Sequence, residues 1–109
     1  MKLVIAVVQD KDSGRLLAAL VDRGHSATKL ASTGGFLREG NTTLLIGVQD
    51  DEVADVLGLI GEVCQSRQQM VNPMPPAAGQ VESYMTYPVE VTVGGATVFV
   101  LDVEHFAKF

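Results

Sequence analysis

Apolar residues in this chain recur in two rhythms, and the switches between them predict the order of elements. Residues 2–9 (Lys-Leu-Val-Ile-Ala-Val-Val-Gln) are apolar on both alternating sets, the pattern of a strand covered on both faces. Asp12 or Ser13 suits a helix cap, and segment 14–23 then sets Leu16, Leu17, Leu20 and Val21 on one helical face, with Gly24 at the stop. Residues 25–33 read as a second strand, 34–41 as a Gly-rich loop and 42–49 as a third strand. Asp50 or Asp51 caps a second helix over 51–66, whose apolar set is Val53, Val56, Leu57, Ile60, Val63 and Cys64. Residues 67–88 show no periodicity and carry Pro73, Pro75, Pro76 and Pro88, which predicts a long loop. Residues 89–93 alternate, Gly94-Gly95 signals a hairpin turn, and 96–104 form the return strand.

The predicted order is β-α-β-β-α-β-β. Its first six elements match a ferredoxin-like βαββαβ arrangement of the α+β class, with an additional C-terminal strand. Two helices cover only one face of such a sheet. Residues 3–8, 44–48 and 98–101 are nevertheless apolar at both odd and even positions. A monomer would leave a large apolar area bare, so a second subunit is expected to cover it.

Composition narrows the function. The chain has 109 residues, enough for one domain, and is 47% hydrophobic and 19% charged, a globular balance. Its net charge of −5 argues against broad binding to nucleic-acid polymers or acidic membranes. The first apolar run is too short for a membrane span or a signal peptide, so a cytoplasmic protein without membrane insertion is expected. One Cys excludes an internal disulfide, and its place in the second helix's apolar set makes Cys64 a core residue rather than a nucleophile. His25 and His105 are far apart, and no CxxC or HExxH spacing exists, so neither a metal nor a cofactor is expected.

The chemistry-bearing stretch is 33–43, Thr-Gly-Gly-Phe-Leu-Arg-Glu-Gly-Asn-Thr-Thr. Adjacent glycines let backbone N–H groups approach an anion closely. Phe36 offers a stacking face or, alternatively, a subunit contact. Asn41 ends the loop as a turn residue or as a reader of a base edge or phosphate. Gly47 interrupts the third strand, which marks either a bulge or the close approach of a ligand. Phe99 belongs to the core or to a pocket wall. Arg38 and Glu39 read as a solvated loop tip. A phosphate site beside an aromatic platform and polar readers describes a nucleotide pocket.

The chain resembles the PII-like cyclic di-AMP receptor proteins, known as DarA or PstA, over essentially its whole length. The resemblance rests on residues 5–10 (Ile-Ala-Val-Val-Gln-Asp), 27–37 (Ala-Thr-Lys-Leu-Ala-Ser-Thr-Gly-Gly-Phe-Leu), 40–43 (Gly-Asn-Thr-Thr), 87–91 (Tyr-Pro-Val-Glu-Val) and 94–100 (Gly-Gly-Ala-Thr-Val-Phe-Val). It implies a single PII-like domain over 1–109, a homotrimer, and one cyclic di-AMP in each cleft between subunits. It also implies signalling without catalysis, to an unidentified downstream protein. Ligand contacts carried over are Thr28, Gly35, Phe36, Leu37, Asn41, Gly47 and Phe99. Residues 34–41 correspond to a short T-loop and 67–88 to a long B-loop. The chain departs at Ser26, where members often carry Arg.

Besides a purely structural trimer that binds proteins through its loops, two other readings compete. One is a PII-like sensor of another adenine nucleotide, ATP or ADP. The other is a small ferredoxin-like hydrolase, which needs an Arg in a phosphate loop and a positioned water. The only loop Arg, Arg38, has Glu39 beside it and no His, Cys or paired carboxylate placed nearby. The chain is therefore expected not to be an enzyme.

Overall fold

The structure is a computed structural model that describes residues 1–30, 40–71 and 89–109. Its elements are β1 (Lys2–Gln9), α1 (Asp10–Asp22), β2 (Ala27–Leu30), β3 (Asn41–Val48), a 3-10 turn (Asp50–Glu52), α2 (Val53–Cys64), β4 (Arg67–Val71), β5 (Val89–Val93) and β6 (Ala96–Asp102). The central sheet runs β2-β3-β1-β6, antiparallel throughout, which is the ferredoxin-like order. β4 and β5 form a separate two-stranded ribbon.

The ferredoxin-like α+β fold holds, with two strand roles exchanged. The fourth strand of the central sheet is 96–102, expected as the addition, while 89–93 joins the ribbon. The first five residues of the expected 67–88 loop are strand β4. Gln68-Gln69-Met70 carries no apolar alternation because these side chains enter no core, and only Arg67 at the root reaches a buried partner, Asp12. Gln68, Gln69 and Met70 are exposed, and the ribbon is built from cross-strand pairing such as Gln68 Nε2 to Thr92 Oγ1 at 3.0 Å. Residues 72–88 lie outside the described residues, as does the part of the second strand expected beyond Leu30.

Strand alternation sorts the sheet into two faces. Val4, Ala6 and Val8 of β1 and Thr42, Leu44, Ile46 and Val48 of β3 are buried beneath the helices. They pack with Leu16 and Leu20 of α1 and with Val56, Leu59, Ile60 and Cys64 of α2. Leu59 takes the core place expected of Leu57, which is exposed, as is Val21. Leu3, Ile5, Val7 and Leu45 are half-buried, and Phe99 and Leu101 are exposed, all on the face that no helix covers. The described residues thus leave an apolar sheet face bare, as the two-sided strands predicted.

Polar anchors fix the helices. Asp12 is fully buried, and its Oδ1 accepts from Arg15 at 2.7 Å and from Arg67 at 3.0 Å. Burial opposes ionisation of Asp12, yet the two guanidiniums outweigh it and hold the carboxyl below the usual 3.8. His25, expected as a surface or packing residue, is buried and hydrogen-bonds Asp55 through Nε2 at 2.9 Å, tying α2 to the start of β2. That bond, joined by the charge of Arg23 against some desolvation, also holds Asp55 below its usual value. Both carboxyls have folded-state values beneath their unfolded ones. Their contributions are therefore complete above the unfolded value and vanish as pH falls through the folded one. Thermal midpoints are expected to be level from pH 7 to about 5 and to drop below about pH 4. Asp55→Asn should flatten part of that drop. A midpoint unchanged down to pH 3 would contradict the linkage.

Candidate functional site

Four of the seven candidate ligand residues lie among the described residues, and all four fall on the helix-free face. Thr28 stands opposite Leu45, Gly47 and Phe99 stand opposite Leu3 and Ile5, and Asn41 stands opposite Gln9. The helix-side residues of β1 and β3 have even numbers, so odd-numbered Asn41, Gly47 and the partners of Thr28 and Phe99 point the other way. Gly35, Phe36 and Leu37 lie outside the described residues.

Thr28 and Gly47 share a concavity. A cleft of ≈ 650 Å³ is lined by Ser26, Thr28, Leu45 and Gly47 from the sheet and by Phe106 and Lys108 from the segment after β6. Ser26, immediately before β2, also lines the cleft, so the site of the family departure is part of it. Sequence reasoning missed Leu45, Phe106 and Lys108. Leu45 was legible only as an apolar strand residue. Nothing in the pattern of 103–109 signals that this segment folds back beside β3.

Gly47 resolves between its two readings. The β1–β3 ladder continues unbroken through Leu3 and Gly47, so there is no bulge. Its φ is not positive, so glycine is not required by the backbone. A Cβ there would lie 3.3 Å from the terminal methyl of Met1, with no other heavy atom within 4 Å. Glycine keeps a side chain off the cleft floor, where the end of the flexible Met1 side chain would have to give way to one.

Asn41 and Phe99 lie elsewhere on the same face. Asn41 is six residues from Gly47 along β3, about 20 Å at ~3.4 Å per residue. A smaller concavity of ≈ 180 Å³ adjoins it, lined by Gln9, Asp10, Lys11 and Gly40. Phe99 is 54% exposed on β6, the edge strand opposite β2. It shares a cross-strand row with Ile5, Leu45 and Thr28, three strand spacings or about 14 Å from Thr28. The expectation that Phe99 is core or pocket wall therefore narrows to an exposed aromatic surface. One subunit alone does not gather all four residues around a single small molecule.

Asn41 is held firmly. The backbone N–H of Asp10 donates to the carbonyl of Gly40 at 3.0 Å, and Thr42 Oγ1 donates to Asp10 Oδ1. A Cβ on Gly40 would stand 2.3 Å from Asp10 Oδ2, so any other residue here would displace the Asp10 carboxylate.

The thiol is unsuited to nucleophilic chemistry. Burial, then the nearby charge of Asp12, pushes Cys64 up to about 11 and keeps it protonated inside the core. Among the described residues, no group of three His, Cys, Asp or Glu side chains is placed to hold a metal ion. No described helix is long and apolar enough to cross a membrane.

A family model described as cyclic-di-AMP receptor matches residues 1–109. Among solved structures, the chain is similar to that of a functionally unknown protein from Pediococcus pentosaceus ATCC 25745. The two share 44% sequence identity at a TM-score of 0.78, over 99% of this chain and 96% of that one.

Proposed function

This chain belongs to the cyclic-di-AMP receptor family, and we propose that it is a non-catalytic, cytoplasmic signalling protein that binds cyclic di-AMP in clefts between the subunits of a homotrimer. The observation that carries this reading is the placement of Thr28, Asn41, Gly47 and Phe99 on one helix-free face, spread over both edge regions of the sheet. Phe99 stands on edge strand β6, while Thr28 stands on the opposite edge strand β2. A head-to-tail ring brings the β6 edge of one subunit towards the β2 edge of the next. A ligand with two bases and two phosphates then has partners on both sides. The bare apolar face supports assembly, since isolated subunits would expose it to water. In this reading Phe36 and Asn41 read a base, Gly35 and Leu37 offer backbone groups to phosphate, and ligand binding orders the 34–41 loop and alters contact with a downstream protein.

Titration calorimetry with cyclic di-AMP, cyclic di-GMP, ATP and AMP tests the assignment. Cyclic di-AMP should bind most tightly, one per subunit, and be recovered intact after incubation. Phe36→Ala should weaken binding by about 1–3 kcal/mol, the scale of base–aromatic stacking, and leave the melting temperature in place. Tighter binding of ATP would favour an ATP sensor instead. Consumption of the ligand would favour a hydrolase. Light scattering should return a mass three times that of the chain, and a stable monomer at micromolar concentration would reject the between-subunit cleft.

A further inference from the structure

A buried histidine stands at the open end of the β2–β3 pair with a carboxylate at each ring nitrogen. His25 lies in the turn between α1 and β2, where its backbone N–H donates to the Leu20 carbonyl at 2.9 Å. Its Nε2 is 2.9 Å from Asp55 Oδ2, and its Nδ1 is 3.6 Å from Glu52 Oε2. Asp55 belongs to α2 and Glu52 to the 3-10 turn before it. Neither acid serves His25 alone. Asp55 Oδ1 accepts from Arg23, and Glu52 Oε1 accepts from the backbone N–H of Gln49 at 2.8 Å. Gln49 directly follows β3, as His25 directly precedes Ser26. The cluster therefore joins the two chain segments just outside the Ala27–Ile46 pair. Between that pair and the cluster lie Ser26 and Gly47, and both line the cleft.

We infer that His25, Glu52 and Asp55 form a proton-sensitive clasp across the end of the cleft, and that the cleft holds an anionic ligand more tightly when His25 is charged; the effect on affinity rests on the proposed ligand. Neutral imidazole has one N–H and one bare lone pair. If Asp55 takes the N–H, the lone pair faces the Glu52 carboxylate, and the two repel. The other tautomer only exchanges the acids. Imidazolium donates from both nitrogens, so proton uptake turns a repulsive contact into an attractive one. Burial of the ring limits screening by water. Glu52 is then drawn towards His25, and Gln49 and the end of β3 are drawn with it, which steadies Ser26 and Gly47 against each other. The charged groups gathered at the ring are Glu52, Asp55 and, through Asp55, Arg23. Arg23 is charged at every relevant pH, so it offsets the gain by a constant amount. Asp55 is held below its usual value, by its bond to His25 first and by Arg23, and keeps its charge near neutral pH. The coupling is reciprocal, so a ligand that favours the closed clasp also favours proton uptake by His25.

Nuclear magnetic resonance on the full chain, over about pH 5 to 9 where histidines titrate, tests the clasp without ligand. The His25 ring and the backbone amides of Ser26, Thr28 and Gly47 should shift with one common midpoint. The other histidine, His105, is exposed after β6, and His105→Gln should leave that response in place. Glu52→Gln keeps an acceptor for the Gln49 N–H but removes the charge, so the three amides should lose most of their response while the start of α2 stays formed. His25→Gln should abolish it. Calorimetry with cyclic di-AMP then covers the same range, in which neither its phosphodiesters nor its adenines change charge. Parent affinity should rise severalfold from the alkaline to the acid side, with net proton uptake seen in buffers of different ionisation enthalpy. Glu52→Gln should bind with nearly constant affinity. Parent affinity that ignores pH, cleft amides that do not follow the His25 ring, or a parental response that survives in Glu52→Gln would each overturn the inference. A parent that binds no cyclic di-AMP while its cleft amides still follow His25 would leave the clasp standing and remove the proposed ligand.

Discussion

Leu44→Ala is expected to lose about 2–5 kcal/mol of folding stability, while Leu45→Ala beside it loses far less from an isolated subunit. Leu44 is fully buried in the cluster with Leu16, Leu20 and Ile60. Truncating it removes apolar contacts and leaves a cavity that packed helices close only in part. Leu45 points to the opposite face, where it is half-buried among Ile5, Phe99 and Thr28. Its loss should appear in assembly, as a mass that falls with dilution at concentrations where the parent stays whole. Urea unfolding of both variants, combined with sedimentation over a concentration series, separates the two effects. Equal destabilisation of monomeric subunits would mean that the second face is packed within the chain itself.

Gly47→Leu should weaken cyclic di-AMP binding by about 3 kcal/mol, roughly 100-fold, while leaving the fold as stable as before or slightly more so. The backbone at Gly47 is ordinary strand, so a leucine meets no conformational strain. Replacing a strand glycine also reduces the freedom lost on folding, a gain of about 0.5–1 kcal/mol. The new side chain projects into the cleft beside Thr28 and displaces whatever occupies it. Lost affinity with an unchanged or raised melting temperature is the signature of a space-keeping glycine. Unaltered affinity would place the ligand elsewhere on the sheet.

Much of this was legible in the residues. The alternating runs fixed β1, β3 and both helices to within a few residues, because their burial is periodic and burial is what the pattern records. Gly47 was visible as an anomaly, but only the unbroken ladder and its φ decide between bulge and open space. The roles of 89–93 and 96–102 were exchanged, since both read as strands and sequence does not say which strand pairs with β1. Strand β4 escaped notice because its hydrogen bonds go to β5 while Gln68, Gln69 and Met70 meet water, leaving no apolar trace. The anchoring of residues 9–12 was hidden for a similar reason. The side chains of Gln9, Asp10 and Asp12 reach partners 32 to 85 positions away, and no local pattern announces such contacts.

The ribbon's poverty of buried side chains has an evolutionary consequence. Among its described residues only Val93, at the root, is buried, and it lies outside the main core cluster. Sequence change at the ribbon's described exposed positions costs the rest of the protein little, whereas the central sheet is constrained on its helix-covered face by packing. One small chain therefore contains two regions free to diverge at different rates. Descendants could keep the same sheet and its cleft while the ribbon acquires new surface chemistry, provided that Gly94 and Arg67 stay in place.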